Sequence, residues 1–462
     1  MASKPRIAKG TRDFNAQQIA QREYIFSTIK SNFKRFGFTP IETPSFELSE
    51  TLLGKYGEEG DRLIFKILNS GEKVKKADIQ ALEDGKLASF SNSISEKALR
   101  YDLTVPFARY VVQYQNDITY PFKRYQIQPV WRADRPQKGR FQEFFQCDAD
   151  AIGSDSLWQE VEFIQLYDAV FSDLKLKGVT IKINNRKILA AIAERIGASD
   201  KLVDFTVALD KLEKIGVEKV KEEMLQKGIS PDGIEAIAPL FNITGNFTDQ
   251  LNALKIILGT SAIGRAGISE LEFIATTINT LGLKTASLKL DVTLARGLNY
   301  YTGAIFEVSA PEEISMGSIG GGGRYDDLTS IFGLNNVSGV GISFGLDRIA
   351  LVLEELNLYP ETSNQFFTQV LFTNFGPSES LYSYKAIQFL RANGIIAELY
   401  PDFSKLKKQI AYANKRSIPN VVLVGDDEIT ANTFTLKNMS TGTQETVDLQ
   451  TLLNRLNSQK NP

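Results

Sequence analysis

Histidine is absent from this 462-residue sequence, and cysteine occurs once, at Cys147. Without histidine there is no Ser-His-Asp or Cys-His nucleophile system, no HExxH metalloprotease helix and no imidazole general base. A lone cysteine excludes an internal disulfide and a cysteine-rich zinc site. The chemistry of this protein must therefore use arginine, lysine, carboxylates, amides, backbone N–H groups or a carboxylate-bound metal ion.

A strong charge of one sign and long hydrophobic runs are also lacking. The 53 basic and 55 acidic residues give a net charge of −2, which excludes a uniformly basic nucleic-acid binder but not a locally basic one. No apolar run approaches the roughly 18 residues that a membrane helix needs. The polar, basic start of the chain predicts no signal peptide. We therefore expect a cytoplasmic protein with no membrane partner.

The length suggests about three domains of roughly 100–200 residues each. Residues 14–36 have the amphipathic spacing of a helix. From about 188 to 265 aromatic residues become rare and Lys, Glu, Ala and Leu dominate, which predicts a helical insertion. After an expected linker at 358–366, residues 368–462 alternate strand-like and helix-like runs, which predicts an α/β module.

The strongest chemical signal lies in residues 122–150, which predict a strand, a loop and a second strand. Six basic residues against two acidic ones lie between 123 and 143, a balance that suits a phosphate-rich ligand. The two-residue period of strands puts a largely polar set on one face. This set is Gln126, Gln128, Val130, Arg132, Gln142, Phe144, Gln146, Asp148 and Asp150. A polar pocket floor and an antiparallel sheet with one solvated face are equally good interpretations.

Residues 317–327 contain four consecutive glycines, Gly320 to Gly323, which predict a loop whose backbone can approach a ligand closely. The segment matches neither GxxxxGK[ST] nor GxGxxG, so it predicts neither a P-loop nor a Rossmann fingerprint. A flexible loop without a ligand is the alternative interpretation.

Residues 338–355 are typical of a strand that runs into a helix, with a buried stripe at Leu346, Ile349, Val352 and Leu353. Arg348 lies in the first turn, off that stripe, where the helix dipole disfavours a cation. We therefore expect Arg348 to meet either an anionic ligand or a carboxylate, such as that of Asp347.

Taken together and in this order, these segments resemble a class II aminoacyl-tRNA synthetase, and specifically the histidyl-tRNA synthetase family. Residues 41–44 are similar to motif 1, 122–150 to motif 2 and 338–355 to motif 3. Residues 99–106 resemble the segment that binds the amino group of histidine. Residues 296–301 and 320–326 resemble the two histidine-specific signatures, and the resemblance covers nearly the whole chain.

The resemblance implies an α+β fold. Its class II core, an antiparallel sheet flanked by helices, would comprise residues 1–187 and 266–357. A helical insertion would occupy 188–265, and a C-terminal α/β anticodon-binding domain would occupy 368–462. The implied partners are histidine, ATP, tRNA-His and a second copy of the chain in a homodimer.

The implied activity is the ATP-dependent attachment of histidine to its tRNA. A histidyl-adenylate forms first, and the acyl group then passes to the terminal adenosine of the tRNA. ATP would enter with Mg²⁺ held mainly by its own oxygens, and no tightly bound metal with protein ligands is expected. This chemistry needs no protein nucleophile, which suits a chain without histidine.

Individual roles follow by position from the same resemblance. Arg132, Arg296 and Arg348 would be the catalytic cations, and Arg132, Phe144 and Arg348 would bind ATP. The histidine-binding residues would be Asp102, Thr104, Gln146, Asp150, Tyr300 and Tyr301. Many members of the family have Asp where Asn299 stands.

Candidate tRNA contacts are Arg135 and Gln137 in the loop of motif 2, and Lys405 and Lys408 near the C-terminus. The stretch 405–416 carries five basic residues and no acidic one, which suits contact with phosphates. A solvated helix face is the alternative for that stretch.

Two other functions share part of the pattern. Related regulatory subunits of ATP phosphoribosyltransferase bind histidine as an effector and lack the C-terminal module, which residues 368–462 supply here. Prolyl or threonyl synthetases share the class II motifs but not the two histidine signatures.

Overall fold

The structure is a computed structural model that describes residues 4–209, 211–295, 300–360 and 368–458. The chain divides into two compact units. The first comprises Met1–Asp13 and Gln21–Tyr359, and the second comprises Phe14–Ala20 and Pro360–Pro462. Most of the expected linker at 358–366 lies outside the described residues.

The described residues form strands throughout both units. The strands are β1 (Thr39–Pro40), β2 (Phe46–Leu48), β3 (Lys66–Ile67), β4 (Lys97–Leu99), β5 (Phe122–Trp131), β6 (Glu143–Ile152), β7 (Thr180–Asn185), β8 (Ser287–Leu290), β9 (Ala304–Ser309), β10 (Gly320–Tyr325), β11 (Gly339–Gly345), β12 (Val370–Phe372), β13 (Ala397–Leu399), β14 (Asn420–Leu423), β15 (Phe434–Asn438) and β16 (Gln444–Val447).

Helices account for most of the remaining regular structure. The α-helices are α1 (Ala16–Arg35), α2 (Ser49–Leu52), α3 (Gly57–Arg62), α4 (Ile79–Glu83), α5 (Leu87–Ser93), α6 (Thr104–Gln113), α7 (Trp158–Asp173), α8 (Arg186–Arg195), α9 (Leu202–Leu209), α10 (Leu212–Ile215), α11 (Val217–Gln226), α12 (Pro231–Ala236), α13 (Phe247–Leu258), α14 (Ala262–Leu281), α15 (Leu346–Glu355), α16 (Pro377–Ala392), α17 (Leu406–Lys415), α18 (Asp426–Ala431) and α19 (Leu449–Ser458). Short 3₁₀ helices lie at Gly71–Lys76, Ser199–Lys201, Ala238–Asn242 and Leu328–Phe332.

A large sheet organises the first unit, with the strand order β1-β5-β6-β11-β10-β9-β7-β8. Its central pairs are antiparallel, and only the outer pairs β1–β5 and β7–β8 are parallel among the described strands. This sheet and its flanking helices confirm the predicted α+β class.

One face of the large sheet is apolar and packs on helices, because side chains alternate between faces along a strand. In β5 and β6 the apolar set includes Tyr125, Cys147 and Ala149, all buried. The ring of Phe33 in α1 lies 5.2 Å from that of Tyr125. The opposite face of the same strands is therefore left for polar residues.

The predicted buried stripe of α15 is confirmed, since Leu346, Ile349, Val352 and Leu353 have no exposed surface. The glycine-rich segment, by contrast, was wrongly predicted to be a loop. Residues 320–325 form β10, which pairs with β9 on one side and β11 on the other.

Close packing explains why glycine is required in β10. A Cβ on Gly322 would lie 2.1 Å from the carbonyl oxygen of Gly341, and one on Gly320 would lie 2.9 Å from the Tyr167 ring. The sequence pattern could not distinguish this requirement from flexibility.

Helices fill the region between β7 and β8. They run from α8 to α14, so the expected boundaries at 187/188 and 265/266 fall inside helices, and the domain limits stay predictions. Several of these helices have a side-chain N-cap; for example, the hydroxyl of Ser261 accepts a hydrogen bond from the backbone amide of Gly264 at the start of α14. No helix in the described part of the chain is both long and apolar enough to cross a membrane.

The second unit has its own sheet, in the order β13-β12-β14-β15-β16. β12, β13 and β14 are parallel, and β15 and β16 continue antiparallel. Its core is separate and includes Val370, Phe372, Ile387, Val422 and Leu452. The α/β module predicted from the alternating pattern is confirmed in this arrangement.

Candidate active site

The predicted polar face of the hairpin exists, and it is buried. Gln126 lies opposite Asp148 between β5 and β6, and Asp148 in turn lies opposite Ser343 in β11. Asp148 and Asp150 are each only 2% exposed. The interpretation as a solvated sheet face is therefore wrong for these positions, and a polar pocket floor fits them.

Three buried carboxylates, Asp102, Asp148 and Asp150, converge on this face, and we call them the acidic pocket. Asp102 is brought in by the segment that precedes α6, whose Val105 amide donates to it at 3.2 Å. The fully buried Arg124 places Nη2 2.8 Å from Oδ2 of Asp150. Asp148 and Asp150 share this cation.

Tyrosine hydroxyls complete the acidic pocket. Tyr56 and Tyr300 donate to Asp102 at 2.9 and 3.3 Å, and Tyr325 donates to Asp150 at 2.6 Å. The hydroxyl of Tyr300 is also hydrogen-bonded to Thr104. Tyr301 lies directly over β10, where a Cβ on Gly323 would approach its ring to 2.8 Å.

Burial raises the pKa of every carboxyl in the acidic pocket. For Asp148 it raises the pKa to about 7, against the lowering effect of Arg124 and together with the nearby charge of Asp150. The pKa of Asp102 is raised by burial and lowered in part by Arg132. Withdrawing carboxylates from water is costly unless positive charge compensates them. A cationic ligand would therefore be stabilised in this pocket.

Gln146 faces the same pocket. Its Nε2 donates to Ser343 at 3.2 Å. Its Oε1 is buried and has no hydrogen-bond partner among the described residues. A buried acceptor of this kind is suited to a donor on a ligand.

Arg132 lies at the end of β5, beside the acidic pocket. Its Nε donates to the carbonyl of Tyr101 at 3.0 Å, and its guanidinium lies 4.3 Å from the Tyr101 ring and 5.2 Å from the Phe144 ring. The guanidinium is thus held by backbone and aromatic contacts in addition to its charge interaction with Asp102.

Arg348, in the first turn of α15, forms no salt bridge with any carboxylate of the described residues, although a salt bridge was one of the expected alternatives. Its guanidinium donates to two backbone carbonyls, Gly139 at 2.8 Å and Ser318 at 2.6 Å. The adjacent Asp347 instead binds Arg12 and Arg22, each at 2.5 Å. Arg348 remains a cation held in place by neutral groups.

Glycine at position 139 is what allows this contact. Gly139 has φ of +70°, and a Cβ there would lie 3.3 Å from Cγ of Arg348 and 2.9 Å from the sulfur of Met316. The positive φ and these close approaches favour glycine at this turn, where the loop between β5 and β6 contacts α15.

Positive charge accumulates around this contact. Burial lowers the pKa of Arg348, and the positive charges of Arg140 and Arg132 lower it further, against the raising effect of Glu307 and Asp134. We call Arg132, Arg140 and Arg348 the arginine cluster. Like charges that oppose one another across a partly buried space favour a polyanionic ligand.

The predicted tRNA contacts lie on the surface, two in each unit. Arg135 and Gln137 are exposed beside a tight turn in which the amide of Arg140 donates to the carbonyl of Gln137 at 2.9 Å. Lys405 and Lys408 are exposed at the start of α17.

The described residues leave out part of the predicted site and add residues that were not predicted. Arg296 and Asn299 lie outside the described residues. Arg124, Tyr56 and Tyr325 were not assigned to the site from sequence, and Asp148 was placed on the right face without a role. Arg124 lies two residues before Gln126 in β5 and therefore shares its face, a signal that was not used, whereas no local signal pointed to Tyr56.

No group of three or more cysteine, aspartate or glutamate side chains arranged to hold a metal ion occurs in the described part of the chain. The buried carboxylates of the acidic pocket are held instead by Arg124 and by tyrosine hydroxyls.

Comparisons with known proteins agree with this geometry. A family model described as histidyl-tRNA synthetase matches residues 89–349, and one described as an anticodon binding domain matches residues 369–459. The histidine–tRNA ligase of Christiangramia forsetii is 66% identical over 452 residues, covering 98% of this chain and 99% of its own. That of Bacteroides fragilis strain YCH46 is 54% identical over 456 residues, covering 99% and 100%.

A solved structure of the same family resembles this chain over nearly its whole length. The crystal structure of histidyl-tRNA synthetase from Nostoc sp. PCC 7120 superposes with a TM-score of 0.79 at 29% identity. The match covers 99% of this chain and 100% of that one.

Proposed function

The chain belongs to the histidyl-tRNA synthetase family, and on this basis we propose which residues carry each part of the reaction. The reaction itself is the ATP-dependent attachment of histidine to tRNA through a histidyl-adenylate. Members of the family bind histidine, ATP with Mg²⁺ and tRNA, and act as dimers.

The acidic pocket receives the histidine substrate, and its buried carboxylates are the observation that carries the assignment. Asp102 and Thr104 bind the ammonium group, and Asp150 and Tyr301 hold the imidazole nitrogens. Asp148 adds a third carboxylate, and Gln146 offers its unpartnered Oε1 beside the amino acid. A site built from paired polar groups rejects ligands without matching nitrogens by roughly 10⁴–10⁵-fold.

The arginine cluster receives ATP. Arg132 binds the α-phosphate, while Phe144 and Arg348 stack on adenine. Arg348 also lies near the γ-phosphate. Arg296 is assigned to the α-phosphate by the resemblance alone. Because Arg132 interacts electrostatically with Asp102 and lies in the arginine cluster, it can meet the substrate carboxylate and the α-phosphate together.

This arrangement supports an in-line reaction without a protein nucleophile. The carboxylate of histidine attacks the α-phosphate, the bond to the β-phosphate breaks, and pyrophosphate leaves. The protein orients both substrates and neutralises charge that develops on phosphate oxygens. The terminal adenosine hydroxyl of tRNA then attacks the acyl carbon and AMP leaves. We propose that the adenylate phosphate accepts the hydroxyl proton.

The tRNA assignments extend this proposal. Arg135 and Gln137 contact the acceptor stem, while Lys405 and Lys408 contact the anticodon arm. The domain limits proposed with them are 1–187 and 266–357 for the core, 188–265 for the insertion and 368–462 for the anticodon-binding domain. Because tRNA charging supplies translation, the proposed location is the cytoplasm.

The first test is pyrophosphate–ATP exchange with each of the twenty amino acids in turn. Exchange with histidine alone supports adenylate formation and the assignment of the acidic pocket in one assay. Histidine binding without exchange would instead favour a regulatory, effector-binding role.

Replacing Arg132 tests whether it acts in adenylate formation while Arg135 acts in tRNA binding. Arg132→Ala should lower histidine-dependent exchange by about 10²-fold or more, the usual cost of losing a group that stabilises transition-state charge. Arg135→Ala, in the same loop, is the matched control and should retain exchange while charging of tRNA falls. Normal exchange by Arg132→Ala would refute its role.

A further inference from the structure

Phe403 is an unusually exposed aromatic residue, with 74% of its surface accessible. It lies in the loop that joins β13 to α17 in the second unit. Since β12, β13 and β14 are parallel, this loop lies at the edge formed by their carboxyl ends. Ligands of open α/β sheets commonly bind at that edge.

A buried amide network fixes the backbone on both sides of Phe403. Nδ2 of Asn374 donates to the carbonyl of Pro401 at 3.0 Å, and Nε2 of Gln409 donates to that of Ser404 at 2.7 Å. Gln409 is fully buried, and its Oε1 accepts from the amide of Asn374 at 2.8 Å. The buried Tyr400 anchors the start of the loop.

The ring of Phe403 is therefore presented to solvent by a segment whose backbone is held rigidly. Leaving a phenyl ring in water is unfavourable for the isolated protein. A ring held in a fixed position can, however, stack on a planar group of a binding partner. Because the amide network already orders the backbone of this loop, binding loses little further conformational entropy there.

Phe403 is preceded in the sequence by one exposed acidic residue, Asp402, and followed closely by three lysines. Lys405, Lys407 and Lys408 are all exposed in the next five residues. Arg416, at the other end of the basic stretch, is instead engaged by Glu398 at 2.5 Å and by the Tyr412 hydroxyl at 2.7 Å. The acidic residues in the first turn of α18 follow β14, so they do not belong to the loop that carries Phe403. Lys405, Lys407 and Lys408 are exposed beside Phe403 and are available for phosphates.

We propose that Phe403 stacks on an unpaired base of the tRNA anticodon loop while Lys405, Lys407 and Lys408 neutralise the neighbouring phosphates. An exposed aromatic ring with adjacent lysines is the combination that binds single-stranded nucleic acid. This inference rests on the proposed anticodon-binding role of the second unit and identifies the surface that performs it.

The test compares charging of full-length tRNA-His with charging of an acceptor-stem minihelix that lacks the anticodon. Loss of one stacked base costs about 1–3 kcal/mol, or about 5- to 150-fold. Phe403→Leu, which keeps an apolar side chain but no ring, should lower kcat/KM for full-length tRNA by at least about fivefold. Phe403→Tyr should retain it. Neither change should affect the minihelix or histidine-dependent exchange.

Leu381→Ala is the matched control, because Leu381 is 63% exposed in α16 of the same unit. Unchanged charging of full-length tRNA by Phe403→Leu would overturn the proposal. So would an equal loss with the minihelix, or an equal loss in Leu381→Ala. Failure of exchange in the unaltered protein would instead count against the proposed function itself, so the two failures are distinguishable.

Discussion

At the scale of single residues, Asp148 shows how burial changes a carboxyl group. It is 2% exposed, and its pKa is raised to about 7. With no histidine in the chain, no imidazole titrates between pH 5 and 8 to mask this group. The raised pKa means that protonated Asp148 is the stable form in the unliganded folded protein at mildly acid pH.

The stability of the first unit should therefore fall as pH rises toward neutrality. Asp148 in the unfolded chain ionises near its ordinary value of 3.8, so its contribution is complete below that value and is lost as pH rises through about 7. Relative to Asp148→Asn, the free energy of unfolding should fall by about 1.4 kcal/mol per pH unit between pH 5 and 6, and by about half that slope near pH 7. Urea unfolding of both proteins from pH 5 to 8 measures this difference, and parallel curves would contradict it.

At the scale of secondary-structure elements, β10 and β11 show that glycines can serve close packing rather than flexibility. Gly341 in β11 lies opposite Asp150 in β6, and a Cβ on Gly341 would lie 2.0 Å from Oδ1 of that carboxylate. The strand therefore leaves the space in which a functional side chain is held.

Gly341→Ala should displace Asp150 and raise the KM for histidine in the exchange assay by about tenfold or more. Overpacking of this kind also destabilises a core by about 1–3 kcal/mol. Gly345→Ala in the same strand is the control, because a Cβ there would meet atoms only at 3.3 Å or beyond. An unchanged KM in Gly341→Ala would show that Asp150 is not needed in its observed position.

At the scale of the whole molecule, two units with separate cores carry different proposed binding sites. The large sheet carries the acidic pocket and the arginine cluster, whereas Phe403 and its lysines belong to the second unit. Ligands that bind one folded unit stabilise that unit by mass action.

Calorimetry of the full chain should therefore resolve two transitions with different responses. Histidine with a non-hydrolysable ATP analogue, each at about 100 times its Kd, should stabilise the first unit by about 2.7 kcal/mol per bound ligand. The transition of the second unit should not move. A single transition that shifts as a whole would show that the two cores unfold together.

Much of this protein was predictable from sequence because its signals are local. Alternation along β5 and β6 put Gln146, Asp148 and Asp150 on one face, and the stripe of α15 identified its buried side. The absence of histidine excluded imidazole catalysis whatever fold the chain adopts. The order of the motifs identified the family.

Tertiary structure alone decided the rest, because it depends on neighbours that are distant in the chain. Burial of Asp148 and Asp150 turned a polar strand face into a pocket with raised pKa values. The strand at residues 320–325 formed because β9 and β11 flank it, whereas the glycines by themselves predicted a loop. Tyr56 reaches Asp102 across 46 residues of sequence, a separation that no local pattern encodes. Spacing along the chain thus determined which residues could act, and packing determined which of them meet.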